Sequence, residues 1–89
     1  MIMESVQTFY TIAYIDKDGW EYVNILEVDF ENKTYSLCKN QDSMILGGED
    51  EYGNTIYETY IEPIIFEIII EGIQKRGFTE IQYAEDNKD

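Results

Sequence analysis

The residues in this chain with the most chemistry in them are carboxylates. Glu27, Asp29 and Glu31 recur at every second position, so on a β-strand they share one face at about 6.8 Å spacing. Glu67 and Glu71 are four residues apart, which on a helix stacks them at a rise of about 6 Å. Glu49, Asp50 and Glu51 form a run of three acids, followed by Tyr52 and, further on, Tyr57. Negative groups held at regular spacing on a rigid scaffold can fill a basic groove that otherwise tracks phosphates. Tyrosines beside carboxylates add anchors for arginine, through ring stacking and charge-assisted hydrogen bonds. The expected partner-binding set is therefore Glu27, Asp29, Glu31, Glu49, Asp50, Glu51, Tyr52 and Tyr57. The plainer reading of the same residues is a solvated strand face and a solvated helix stripe.

Other chemistries find little to work with. There is no histidine, which removes the commonest general base and metal ligand and the usual serine triads. Asp16, Asp18 and Glu21 around Gly19 have the look of part of a calcium loop, but the twelve-residue pattern is missing and a hairpin turn accounts for them. Paired carboxylates suited to glycoside hydrolysis arise by chance among so many acids, and a small chain has little room for a water-excluding cleft. Gly47-Gly48 runs into an acidic stretch that would repel phosphate. The single cysteine, Cys38, excludes an internal disulfide and reads as a small buried side chain. No catalytic residue, metal or cofactor is expected.

Six Lys and Arg against nineteen Asp and Glu leave a net charge of −13 on 89 residues. Such a chain repels nucleic acid and anionic membranes, and attracts basic surfaces within a Debye length of about 10 Å at 0.1 M salt. In charge and length, though in no motif, it resembles the small acidic proteins with which phages block nucleases and other DNA-handling machinery, anti-CRISPR proteins among them. That resemblance implies a non-enzymatic inhibitor seated on a basic, nucleic-acid-engaging surface of a partner protein. The alternatives are a homodimeric structural or assembly protein and a toxin-immunity protein, with the acidic surface serving solubility. No signal peptide or membrane-length apolar run is visible, so a cytoplasmic protein is expected.

The elements that would position these acids are legible in outline. Hydrophobic content of 44% with 15% aromatics calls for a packed core. One domain over residues 1–84 with a charged tail at 85–89 is expected. The clearest element is a helix over 61–76. Pro63 stands near its start, Lys75 and Arg76 lie in its last turn, and Gly77 supplies a left-handed stop. Its isoleucines and Phe66 give a broad apolar face. Ahead of it, Val6–Ile15 and Trp20–Phe30 read as strands joined by a three-residue loop with a bulge at Gly19. A regular register from that loop sets Tyr14 opposite Tyr22, Ile12 opposite Asn24 and Tyr10 opposite Leu26. Tyr10, Ile12, Tyr14, Trp20, Tyr22, Leu26, Val28 and Phe30 then share one face, suited to the core. Thr34–Lys39, Thr55–Tyr60 and Phe78–Ala84 follow as further strands, with Asn40–Ser43 as loop. The sum is an α+β domain, an antiparallel sheet of four to five strands with one packing helix and a final strand. Its second sheet face, still apolar, could join two copies.

Overall fold

A computed structural model describes residues 5–48, 53 and 58–82. Helix α1, Pro63–Lys75, lies inside the expected 61–76. Pro63 takes the first helical position, where its missing N–H costs nothing, and the Phe66 N–H closes the first turn on the Glu62 carbonyl at 2.8 Å. At the other end Gly77 adopts φ +88°. The Phe78 N–H then bonds back to the Ile73 carbonyl and the Gly77 N–H to the Gln74 carbonyl, so these two carbonyls of the last turn are satisfied. Phe66, Ile70 and Ile73 are buried, whereas Ile64, Ile65 and Ile68 are exposed on the outer side. The apolar face is therefore narrower than the isoleucine count suggests.

The rest of the described chain is a five-stranded mixed sheet in the order β4-β1-β2-β3-β5. The strands are β1 Val6–Ile15, β2 Glu21–Asp29, β3 Thr34–Asp42, β4 Glu58–Tyr60 and β5 Thr79–Glu80. β1, β2 and β3 form the expected antiparallel meander, while the short edge strands β4 and β5 pair parallel to β1 and β3. These parallel edges follow from the helix. The β4–α1–β5 unit carries the chain from one edge of the sheet to the other, and such a crossover returns a parallel strand. One face of the sheet takes α1: Leu26, Val28 and Tyr35 pack with Phe66, Ile70 and Ile73, flanked by Phe9, Leu37, Ile61, Ile69 and Phe78. Gln74 Nε2 donates to the Tyr35 hydroxyl at 2.9 Å and pins helix to sheet.

The first loop forms as its sequence dictates. Gly19 at φ +84° closes Lys17-Asp18-Gly19, with the Asp16 N–H bonded to the Trp20 carbonyl and the Gly19 N–H to the Asp16 carbonyl. Tyr14 does face Tyr22, but the register then changes. An extra residue at Ala13 makes a bulge, after which Ile12 pairs with Val23, Tyr10 with Ile25 and Phe9 with Leu26. Because side chains alternate with a period of two, that single residue exchanges the two faces of β1. Phe9 and Thr11 lie on the helix side in place of Tyr10 and Ile12. On the second face Tyr10 meets Tyr60 edge to face, ring centroids 5.5 Å apart. β3 has its own bulge: Val23 pairs with Gln41 but Ile25 with Cys38, and Asn40 takes φ +59°. The strand thus runs on through Asn40 to Asp42, where a loop was expected. After it a 3₁₀ turn, Ser43–Ile45, packs against β2, and the Gly47 N–H donates to the Glu58 carboxylate at 3.0 Å. Cys38 is half-buried on β3.

Candidate functional site

The expected acidic row is only partly built. Glu27 and Asp29 lie on β2, the central strand, on the face opposite α1, and both are half-buried. Glu31 does not continue the row, because β2 ends at Asp29 and Glu31 is exposed in the β2–β3 turn. The turn needs Asp29 for itself. Its Oδ1 accepts the backbone N–H groups of Glu31 and Asn32, each at 3.1 Å, and its Oδ2 accepts Asn32 Nδ2 at 2.8 Å. A side chain that caps a turn this way favours tight reversal and lets Lys33 sit at φ +57°. Beside it Glu27, Asp29, Thr34 and Ser36, rimmed by Val6 and Ile81, line an open depression of about 130 Å³. Glu49, Asp50, Glu51, Tyr52 and Tyr57 lie outside the described residues. Glu67 and Glu71 are exposed on α1, across the sheet from Glu27 and Asp29, so no one flat surface can touch both sets.

A second group of polar and aromatic side chains assembles where the sequence suggested core. At the hairpin end Tyr14 on β1, Tyr22 on β2 and Asp42 on β3 stand directly opposite one another. The Tyr14 and Tyr22 rings stack with centroids 4.8 Å apart and planes 13° from parallel. Two residues along, Trp20 Nε1 donates to Asp42 Oδ2 at 3.0 Å, while Asp42 Oδ1 accepts the Met44 N–H at 2.9 Å. Asp16 Oδ1 accepts the N–H groups of Asp18 and Trp20. None of this is core: Tyr14 is 47% and Trp20 44% exposed.

The electrostatics follow from these bonds. The Asn32 side chain, then its backbone N–H, hold the Asp29 carboxyl below the ordinary carboxylate value, and the Met44 N–H and the Trp20 indole do the same for Asp42. Burial first, then the Asp16 carboxylate, the neighbouring Tyr14 phenol as it ionises and the Asp42 carboxylate, push the Tyr22 phenol up. A carboxylate whose folded pKa is depressed stabilises the fold above its unfolded value, and that contribution disappears as pH falls through the folded one. Thermal midpoints are therefore expected to fall as pH drops below about 3.8, the unperturbed value. In the same range Trp20 emission should shift as Asp42 protonates. An Asp42→Asn protein should lose the emission step while keeping the part of the stability loss that belongs to Asp29. Acid titration followed by circular dichroism and fluorescence reads both.

Among the described residues no three His, Cys, Asp or Glu side chains converge as a metal site would require, and no helix is long and apolar enough to cross a membrane. The side chains on view are carboxylates on strands and loops with aromatic rings beside some of them. The chain matches no protein-family model, no curated protein and no solved structure.

Proposed function

We propose that the protein is a non-enzymatic acidic binder that occupies a basic, nucleic-acid-engaging surface of a partner protein, as an inhibitor of that partner. The observation that carries the reading is the −13 charge on a small scaffold, with Glu27 and Asp29 fixed on the central strand and Asp29 held ionised by its hydrogen bonds. Strand geometry sets the spacing of such charges, so they are presented without first being ordered, which lowers the cost of docking. Salt-sensitive, fast association is the expected behaviour. The test is capture of partners on the immobilised protein at low salt and elution at high salt, followed by competition of the captured protein with a DNA duplex. The eluted partner should bind DNA and lose it when this protein is added. A partner with no nucleic-acid site, or one that resists salt, refutes the reading. Glu31→Lys should weaken capture severalfold and flatten its salt dependence, whereas Glu67→Lys with Glu71→Lys, across the sheet, should not. Asp29 is left intact in this comparison because its carboxylate holds the turn.

The outer stripe of α1 favours a second reading, a homodimer. Ile64 is 75%, Ile68 56% and Ile65 47% exposed. On the second sheet face, by contrast, Tyr10, Ile12 and Ile25 are already half-buried. Concentration-dependent sedimentation separates a dimer from a monomer.

A further inference from the structure

We infer that the loop end of the β1–β2 hairpin is a docking platform for an arginine-bearing segment of a partner protein, whose guanidinium lies on the rings of Tyr14, Tyr22 and Trp20 and bonds the Asp16 and Asp42 carboxylates. This surface is separate from the β2–β3 turn. It stands at the other end of β2, about 25 Å away at strand rise.

The placement of its members is the first argument. In a regular sheet Tyr14 would follow Ile12 onto the second face, and Asp42 would follow Ser36 and Cys38 there. The bulge at Ala13 turns Tyr14, and the bulge between Cys38 and Gln41 turns Asp42, onto the face that carries Tyr22. Two irregularities in the two strands flanking β2 thus bring one ring and one carboxylate to the same tyrosine, and re-aiming a side chain is what bulges do beside binding sites. The core does not cover the result: Tyr14 and Trp20 stay outside the core cluster and keep nearly half their surface in solvent.

The chemistry of the patch selects the ligand. Aromatic faces attract cations, Asp16 and Asp42 add negative charge beside them, and Lys17 is the one Lys or Arg between Val6 and Asp29. A nucleobase could stack on the same rings, but its phosphates would meet these carboxylates. A guanidinium satisfies both halves, stacking by its plane and bonding carboxylates by its edge, whereas an ammonium offers no plane. Asp42 already holds the indole edge, so Trp20 presents a fixed ring.

Trp20 is the only tryptophan, so its emission reports this surface alone. The experiment titrates the whole protein with a hexa-arginine peptide and with hexalysine, following Trp20 fluorescence and the indole and backbone N–H resonances. The expected result is saturable binding of hexa-arginine, severalfold tighter than hexalysine, with shifts centred on Tyr14, Trp20, Tyr22 and Asp42. Tyr14→Ala should weaken it about threefold to tenfold. Asp42→Asn, which keeps an acceptor for the indole but drops the charge, should weaken it as well, with a dispersed spectrum showing that the fold is retained. Equal affinity for the two peptides, absence of binding, or shifts centred on Glu67 and Glu71 overturns the inference. Shifts centred on Glu27, Asp29 and Glu31 with a silent hairpin overturn it too, yet leave the acidic-binder reading standing.

Discussion

Phe66→Ala is expected to lower the free energy of unfolding by about 3–5 kcal/mol. Phe66 is 1% exposed and is the largest fully buried side chain in the described structure. It packs from α1 against Leu26 and Val28 of β2 and Tyr35 of β3. The helix on that face cannot collapse into the void, because its two ends are tied to β4 and β5 on opposite sheet edges. Total stability for a domain of this length is about 4–13 kcal/mol, so one truncation removes a large share of it. Urea unfolding should show a lower midpoint at unchanged slope. Ile64→Ala provides the contrast, since a side chain 75% exposed should change stability by less than about 0.5 kcal/mol. Equal losses from the two substitutions would mean that α1 does not sit on the sheet by the face described.

Elements whose signals are local were readable in the sequence. Helix α1 is announced by Pro63 and Gly77, and the first loop by Asp16 and Gly19, because caps and positive-φ turns depend on a few adjacent residues. The bulge at Ala13 was not readable. Nothing in Ala13 itself demands an extra residue, and both registers give β1 one face with Phe9 or Tyr10 and one with the other. The choice is made by α1, which takes Phe9 with Leu26 into its core, while the loop still holds Tyr14 against Tyr22. Two constraints that disagree by one residue are reconciled by a bulge. The parallel edges belong to the same category, since β4 and β5 are only three and two residues long and acquire their pairing from the crossover between them.

The acidic site was legible in composition more than in geometry. Alternation placed Glu27 and Asp29 correctly on one face, but alternation says nothing about where a strand stops. Asp29-Phe30-Glu31-Asn32 contains the signal that it stops there, an Asp two and three residues ahead of N–H groups it can cap. Asp42 ahead of Met44 carries the same signal for the 3₁₀ turn. The exposed aromatic platform was hidden for a different reason. Tyr14, Tyr22 and Trp20 have the composition of core residues, but α1, 13 residues packed on the other end of the sheet, leaves Tyr14 and Trp20 exposed and Tyr22 half-buried.

Between the helix-covered core and that platform lies one row that fits neither, and it carries the second large prediction: Thr11→Val should stabilise the protein. Thr11 is 2% exposed and its Oγ1 has no hydrogen-bond partner among the described residues. Its cross-strand neighbour Asn24 cannot serve as acceptor through Oδ1 without competition, because that oxygen already takes the Asn40 N–H at 3.0 Å and so holds the β3 bulge. A buried hydroxyl without a partner costs about 1–3 kcal/mol of desolvation, and valine removes it while keeping the branched shape that suits a strand. The expected gain is about 1–2 kcal/mol, or roughly 4–8 °C in thermal midpoint per kcal/mol for a domain of this size. Thr11→Ser, which keeps the hydroxyl and deletes a methyl group, should lose about 1 kcal/mol. A destabilised valine protein would mean that a bound water satisfies the hydroxyl. Two bulges, a half-satisfied polar row and an uncovered aromatic end then have a common origin. The helix fixes the register of one end of the sheet, the Gly19 loop fixes the other, and the mismatch is absorbed at the level of Ala13 and Asn40, next to Thr11 and Asn24.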